Sequence, residues 1–303
     1  MSTSRVYENK LGIVTGGSRG IGAAIARRLA AKGCNLVIGY GSPSSTEMTL
    51  ALCRELATAH KIYCRPCQAE LLEPQRAAES LLDAASSLYN SYNATGTLQI
   101  DIVINNAGVS SNQHLNDSEQ GPIAKSEFDR VYTVNVLAPL LLTQAVQPHL
   151  PKDRSGRIVN VSSVSSSIGY QGQSVYAGTK AAIEAMTRVW SRELAENAIV
   201  NCVNPGPAWG DMYERAGLTF WNINQPYVDV APLANYSGER HDLGLNAEEK
   251  ERFDEVVRKG MGGQRPGLTD EIAGTVDMLC SPEAAWTTGS VVCANGGMRM
   301  STA

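Results

Sequence analysis

Short runs of consecutive apolar residues recur along the chain, and longer segments with apolar residues at helical spacing separate them. Runs of this kind predict buried strands, and apolar residues that repeat every three or four positions predict amphipathic helices. Strands that alternate with helices indicate an α/β fold. The predicted strands cover residues 11–15, 35–40, 61–68, 100–104, 157–161, 199–203 and 289–294.

A glycine-rich loop joins the first predicted strand to the first predicted helix. Glycines permit a tight turn and close approach of a ligand to the backbone, and the helix N-terminus that follows supplies free N–H groups and a positive dipole. This strand–loop–helix order predicts a site for the pyrophosphate of a dinucleotide. The candidate cofactor contacts in the loop are Thr15, Gly16, Ser18, Arg19, Gly20, Ile21 and Gly22.

Tyr176 and Lys180 lie four positions apart in a segment of helical period. Their side chains should therefore share one helix face, with Cβ atoms about 5–6 Å apart. An ammonium beside a phenol favours the phenolate, which makes Tyr176 a candidate proton donor to a carbonyl. Ser163 follows the strand at 157–161, at the sheet edge where active sites of open α/β sheets lie. Ser162 is its competitor, but alternation along the strand points Ser162 to the other face.

These residues resemble the signature of the short-chain dehydrogenase/reductase family, in which a serine precedes a Tyr-x-x-x-Lys helix by thirteen residues. That spacing selects Ser163. The resemblance covers residues 10–298 and implies a single Rossmann-like, doubly wound domain over 1–303, with a seven-stranded parallel sheet and helices on both faces. It also implies hydride transfer between a nicotinamide cofactor and a carbonyl or alcohol carbon. The implied catalytic residues are Asn135, Ser163, Tyr176 and Lys180.

The resemblance implies a role for each of these side chains. Tyr176 donates the proton, Ser163 polarises the carbonyl, and Lys180 assists Tyr176 and binds the nicotinamide ribose. Asn135 sustains a proton relay through a water. Pro139 follows four residues later, so we expect a kink in one long helix over 123–150 and a free Asn135 carbonyl. The alternative is an asparagine that only caps its own kink. Further implied cofactor contacts are Glu70, Leu71, Asn105, Ala107, Gly108, Pro205, Gly206 and Ala208.

The loop after the second strand predicts the cofactor preference. NAD-binding loops place an acid on the ribose 2′-hydroxyl, whereas this chain has Tyr40, Gly41 and Ser42 there. The hydroxyls of this loop can donate hydrogen bonds to a 2′-phosphate, and Arg19 can supply charge. We therefore expect NADP(H). Gly210 stands where family members usually have a threonine that binds the nicotinamide carboxamide.

Residues 207–262 form an enlarged segment after the sixth strand, and 207–245 shows neither helical nor strand periodicity. This segment is rich in aromatic residues, which would be a liability if they were exposed and covered nothing. Long loops of compact domains are usually functional lids or disordered, and the aromatic content disfavours disorder. We expect a lid over a bulky, mostly apolar ketone of aromatic or polyketide type rather than a sugar. Packing against a partner subunit is the alternative. The candidate substrate contacts are Trp209, Met212, Tyr213 and Trp221.

Composition gives no support to several other classes of function. The 26 Lys and Arg against 30 Asp and Glu, a net charge of −4, provide no argument for nucleic acid. No apolar run approaches the roughly 18 residues that span a bilayer, so we expect a cytoplasmic enzyme with a small-molecule substrate and no membrane partner. The seven cysteines fit reduced thiols. Neither the Cys64–Cys67 pair nor the histidines have convincing ligand spacing, so no metal is expected.

The resemblance also implies a homo-oligomer, either a dimer or a tetramer. Its contact helices would carry the outward apolar residues Leu140, Leu141, Val189 and Trp190. The alternative function is a protein of this fold that senses the cofactor, acts as a scaffold or catalyses a non-redox cyclisation. The presence of both the tyrosine and the lysine disfavours that alternative.

Overall fold

A seven-stranded parallel sheet forms the centre of the molecule. The computed structural model describes residues 5–93, 96–236 and 245–300. It leaves out the side chains of Asp211, Met212, Arg215, Ala216 and Thr219. The strands of the sheet are β1 (Leu11–Val14), β2 (Asn35–Tyr40), β3 (Cys64–Gln68), β4 (Ile102–Asn105), β5 (Gly156–Val161), β6 (Ala198–Pro205) and β7 (Val291–Ala294).

The spatial order of the strands is β3-β2-β1-β4-β5-β6-β7, and every pair in it is parallel. The chain builds outward from β1 to β3 and then crosses back to β4 on the other side of β1. A crevice opens at such a switch point, at the carboxyl ends of the strands. This order confirms the predicted doubly wound α/β fold.

Helices cover both faces of the sheet. They are α1 (Gly20–Ala31), α2 (Thr46–His60), α3 (Pro74–Tyr92), α4 (Lys125–Tyr132), α5 (Ala138–Val146), α6 (Ser165–Ile168), α7 (Ser174–Glu193), α8 (Asp211–Asp229), α9 (Ala247–Gly260) and α10 (Thr269–Cys280). Successive residues of a strand point to opposite faces. Accordingly, Val14 packs in the core with α1, α2 and α10, whereas Ile13 packs in the core with α3, α5 and α7.

The expected long helix over 123–150 is present as one helical segment from Lys125 to His149, and it is distorted near the expected kink. Residues Thr133–Leu137 between α4 and α5 form a π-helical turn. Pro139 lacks an N–H and would clash in a regular α-helix, and a π turn absorbs that defect. The expected local distortion at Asn135 is therefore present as a widened turn.

The segment after β6 is helical, which overturns the expectation of an irregular stretch over 207–245. Helix α8 occupies its first part, and residues 237–244 lie outside the described part. Gly217, with φ 73° and ψ −178°, breaks the helix, and Pro226 lies inside it. These interruptions hide the helical period in the sequence. Helices α8 and α9 share a separate apolar cluster that includes Trp221 and Phe253.

Of the four apolar residues expected to face outward, Leu140 and Val189 are exposed, Leu141 is partly buried against the core, and Trp190 is buried. Trp190 is 6% exposed and belongs to the core beside α3 and α5, so its assignment to an outer surface was wrong. Leu140 and Val189 are 36% and 52% exposed, and Phe128 and Leu137 are similarly exposed. None of the helices in the described ranges combines the length and apolarity needed to cross a membrane.

Candidate active site

A cavity of about 560 Å³ opens at the carboxyl ends of β1, β4 and β5. It brings together residues from opposite ends of the sequence. The predicted site residues along its wall are Thr15, Gly16, Ser18, Arg19, Gly20, Ile21, Gly22, Tyr40, Gly41, Ser42, Glu70, Leu71, Ala107, Gly108, Ser163, Tyr176, Lys180, Pro205, Gly206, Ala208, Trp209 and Tyr213.

The glycine loop is built for close approach of a ligand. Gly16 and Gly20 have φ values of 61° and 56°, which L side chains rarely adopt. A Cβ on Gly22 would lie 2.3 Å from the carbonyl oxygen of Gly16, so no larger residue fits there without moving backbone. The first turn of α1 carries no acidic residue and no side-chain cap. Its amides can therefore bind an anion, and the loop fits a pyrophosphate.

Threonine and asparagine side chains tie the glycine loop to the end of β4. The Thr15 hydroxyl oxygen accepts hydrogen bonds from the amides of Asn106 (3.0 Å) and Ala107 (3.1 Å). The Asn106 side chain donates to the carbonyl oxygens of Thr15 and Gly16. Asn105, the residue predicted to line the cofactor floor, points the other way and donates to Asn160 Oδ1 (2.8 Å). Strand alternation could have identified Asn106 as the cavity-facing residue.

Tyr176 and Lys180 share the cavity-facing side of α7, as expected for an i, i+4 pair. The Lys180 side chain is buried, and its Nζ donates to the carbonyl oxygen of Val161 (2.9 Å). That nitrogen lies 5.5 Å from the centre of the Tyr176 ring. Anchoring to the end of β5 therefore holds the ammonium beside the phenol.

Ser163 and Ser162 face different surroundings. The Ser163 hydroxyl lies on the cavity wall and donates to Ser165 Oγ (3.0 Å). The Ser162 hydroxyl donates to Glu184 Oε1 (2.7 Å), which also accepts from Ser166 (2.7 Å) and from Asn204 Nδ2 (3.0 Å). Glu184, which the sequence did not single out, thus joins α7 to the ends of β5 and β6.

Asn135 lies just behind the cavity wall. Its Oδ1 accepts from the Val109 amide (2.9 Å), and its Nδ2 donates to the Val109 carbonyl (2.9 Å) and to Thr179 Oγ1 (3.1 Å). A Cβ added to Gly108 would lie 3.3 Å from Asn135 Oδ1 and 3.4 Å from Lys180 Nζ. Asn135 therefore links the loop after β4 to α7, next to the lysine.

The far end of the cavity is lined by aromatic and amide side chains. Burial raises the pKa of both Tyr170 and Tyr213, so these phenols stay protonated, and their hydroxyls contact the sulfur atoms of Met298 and Met261. Residues on this wall that the sequence did not single out are Ser110, Asn112, Tyr170, Gln173, Phe220 and Asn224. Of these residues, Gln173 could have been identified from the sequence, because it lies one helical turn before Tyr176.

Two predicted substrate contacts are not placed on this wall. Trp221 packs behind it: the indole N–H donates to the Tyr213 carbonyl (2.9 Å), and the two rings are 5.9 Å apart. This position gives Trp221 a packing role in place of the predicted substrate contact. The side chain of Met212 lies outside the described part of the chain.

The cofactor-preference loop lies at the other end of the cavity. The hydroxyls of Ser42 and Ser44 are 2.7 Å apart, and both belong to the turn after β2. Glu70 lies nearby, since a Cβ on Gly41 would be 3.8 Å from its Oε2. Its other oxygen accepts from the Leu72 amide, which caps the local turn. Among the described residues, no cluster of ligand side chains could hold a metal.

A family model described as short chain dehydrogenase matches residues 10–218. The chain belongs to the short-chain dehydrogenase/reductase family. An L-xylo-3-hexulose reductase of Hypocrea jecorina is 63% identical over 303 residues, covering 99% of this chain and 100% of its own. An L-xylulose reductase of Aspergillus niger is 54% identical and covers 98% of this chain and 99% of its own.

A solved structure supports the same assignment. A blue fluorescent protein from a metagenomic library, crystallised with NADPH, aligns with a TM-score of 0.76 and 30% identity. The alignment covers 97% of this chain and 100% of that one. This short-chain dehydrogenase/reductase thus carries its family's serine, tyrosine and lysine on one cavity wall, beside a glycine loop that fits a dinucleotide. A phenol beside an ammonium on this wall has the chemistry to donate a proton to a carbonyl oxygen.

Proposed function

We propose that the protein catalyses NADP(H)-dependent reduction of a short polyhydroxy ketone to the corresponding polyol, and the reverse oxidation. The observation that carries this proposal is the 63% identity with an L-xylo-3-hexulose reductase over the full length of both chains. The second relative is named for the reduction of L-xylulose, which is also a ketose. This substrate class replaces our expectation of a bulky apolar ketone, which neither relative supports.

The chemistry of the cavity agrees with a hydroxylated substrate. Amide and hydroxyl groups of Ser110, Asn112 and Gln173 lie on the wall near Tyr176. Groups of this kind form hydrogen bonds with the hydroxyls of sugars. The aromatic side chains of Trp209 and Phe220 favour a second candidate, an aromatic ketone.

NADP(H) is the cofactor we propose, with support from the NADPH bound to the structural relative. The glycine loop would hold the pyrophosphate, and Arg19 and Ser42 would bind the 2′-phosphate. Lys180 would bind the nicotinamide ribose. The backbone at Pro205–Ala208 would contact the carboxamide and would replace the contact of the threonine that is absent at Gly210. When bound, the cofactor supplies the hydride for the carbonyl carbon.

Side chains on the cavity wall would transfer the proton to the substrate and stabilise the charge that develops. Tyr176 donates it to the carbonyl oxygen, while the hydroxyl of Ser163 donates a hydrogen bond to that oxygen and stabilises its developing charge. The Lys180 ammonium, held by Val161, stabilises the phenolate that remains. Asn135 would hold Val109 and Thr179 in place beside Tyr176 and Lys180. The proton relay from Asn135 to solvent remains a prediction.

A substrate panel tests the proposal. Purified protein would be assayed with NADPH and with NADH on L-xylulose, L-xylo-3-hexulose and an aromatic ketone, and the products would be identified by chromatography. We expect the ketoses to be reduced with the higher kcat/KM, and NADPH to be the better cofactor. Turnover confined to the aromatic ketone would contradict the substrate class, and equal efficiency with NADH would contradict the cofactor.

A further inference from the structure

The carboxylate of Glu184 is the centre of a hydrogen-bond cluster beside the cavity. Glu184 lies in α7, one helical turn after Lys180. Its Oε1 accepts from the hydroxyls of Ser162 (2.7 Å) and Ser166 (2.7 Å) and from Asn204 Nδ2 (3.0 Å). Of these four cluster residues, only Ser162 lines the cavity. Any effect of the carboxylate on the reaction must therefore pass through its neighbours.

The three donors of the cluster belong to the segments that hold Ser163. Ser162 directly precedes Ser163 at the end of β5, and Ser166 lies in α6, just after it. Asn204 Nδ2 donates to the Ser163 carbonyl oxygen (2.9 Å) as well as to Glu184. The carboxylate thus holds the chain on both sides of Ser163.

Different kinds of bond join this segment to β6 and to α7. The amides on either side of Ser163 donate to carbonyl oxygens of β6 (2.8 Å each). Side chains of α7 make the other connection: Lys180 Nζ donates to the Val161 carbonyl oxygen (2.9 Å), and Glu184 accepts from the cluster. The position of the Ser163 hydroxyl relative to the Tyr176 phenol therefore depends on side-chain contacts of α7.

We propose that Glu184 is a positioning residue that aligns Ser163 with Tyr176 for reduction of a carbonyl. The inference rests on the proposed function and adds a residue that lies outside the cavity. Two groups that act on one oxygen tolerate little displacement, and a shift of about 1 Å can cost roughly 10²-fold in rate. Loss of the carboxylate would leave three donors without their common acceptor and would permit such a shift.

A double-mutant cycle tests whether Glu184 acts through Ser163. Glu184→Leu removes the acceptor and keeps a side chain of similar volume, and Ser163→Ala removes the hydroxyl. Each variant should lower kcat at least about tenfold for the ketone that the wild-type protein reduces fastest. The double variant should lose no more than the larger single loss, because a misplaced hydroxyl and a missing hydroxyl have the same consequence.

Two further measurements separate positioning from loss of folded protein. Fluorescence titration with NADPH counts the binding sites, and kcat is calculated per binding site, so unfolded molecules do not contribute. Glu184→Gln retains an acceptor oxygen and should recover most of the lost kcat. Glu193→Leu is the matched control, because it removes an exposed carboxylate from the same helix and should keep the wild-type kcat.

Additive losses in the double variant, or an unchanged kcat in Glu184→Leu, would overturn the positioning role and leave the proposed reduction in place. If Glu184→Leu does not fold, Asn204→Ala takes its place in the cycle, since it removes the donor that joins Glu184 to the Ser163 carbonyl. The same non-additive result is expected with that variant. Wild-type protein that reduces no ketone would instead overturn the proposed function itself.

Discussion

At the residue scale, the proton in the proposed reaction depends on one phenol. Tyr170 and Tyr213 also line the cavity, but their hydroxyls contact methionine sulfur atoms, and burial raises their pKa. Tyr176 is the tyrosine that has the Lys180 ammonium close to its ring. It is therefore the group suited to general acid catalysis.

Replacing Tyr176 with phenylalanine tests this role directly. The ring keeps its packing, but the proton is lost, so turnover should fall by at least ~10²-fold while NADPH binding, followed by fluorescence titration, persists. Tyr63→Phe, at a half-exposed tyrosine before β3, should retain wild-type turnover. Undiminished turnover in Tyr176→Phe would exclude the proposed acid.

Arg19 governs the proposed choice between the two cofactors. It lies on the cavity wall at the start of α1, where its charge can reach a 2′-phosphate. A charge-assisted hydrogen bond contributes about 1.5–3 kcal/mol, so Arg19→Ala should weaken NADPH binding about tenfold or more and NADH binding little. The comparison is Arg27→Ala, because Arg27 lies on the surface of α1 and forms an ion pair with Glu55 of α2. A similar loss for both cofactors in Arg19→Ala would refute this role.

At the element scale, the turn from β1 into α1 depends on its lack of side chains. Gly22→Ala would bring a methyl group to within 2.3 Å of the Gly16 carbonyl oxygen, and neither backbone can yield without opening the loop. Calorimetric titration should show NADPH affinity reduced at least about tenfold, since the amides lose their common geometry. Gly274→Ala in α10, where the nearest atom would be 3.5 Å away in the Arg28 side chain, should bind NADPH normally.

Two adjacent residues of helix α8 have different surroundings. Phe220 lines the cavity, whereas Trp221 is 8% exposed and donates to the Tyr213 carbonyl. Phe220→Ala should raise KM for the ketone and leave NADPH affinity intact. Trp221→Ala should lower the free energy of unfolding by about 3–5 kcal/mol, measured by denaturant titration. The reverse pattern would mean that the two side chains have been assigned to the wrong sides of the helix.

At the scale of the whole molecule, the surface of α4, the π turn Thr133–Leu137, α5 and α7 carries several exposed apolar residues. Phe128, Leu137, Leu140 and Val189 are each at least 36% exposed, and burying them against a second copy would remove apolar area from water. We propose a homo-oligomer, dimeric or tetrameric, built on this surface.

Light scattering at micromolar concentration would measure the assembly. Wild-type protein should have the mass of a dimer or tetramer, and Val189→Lys should shift the mass toward smaller species. Met48→Lys, at an exposed residue of α2 outside this surface, should keep the wild-type mass. A wild-type monomer would contradict the proposal.

The sequence by itself determined the sheet, the glycine loop and the tyrosine–lysine pair. These features are local: an apolar run predicts a strand, glycines are favoured in a tight turn with positive φ, and i, i+4 spacing places Tyr176 and Lys180 on one helix face. The doubly wound, parallel character of the sheet followed from the resemblance to a family. The thirteen-residue spacing selected Ser163 over Ser162, and alternation along the strand agreed with that choice.

Tertiary structure decided which side chains face the cavity and which lie behind it. In the sequence, nothing distinguishes Trp190 and Trp221 from apolar residues that are exposed. Only the packing of α7 and α8 shows that these two side chains are buried. Gln173 meets Asn112 across 61 positions of the chain. Partners this far apart in the sequence meet only when the whole sheet has assembled, and no local pattern of residues encodes that assembly.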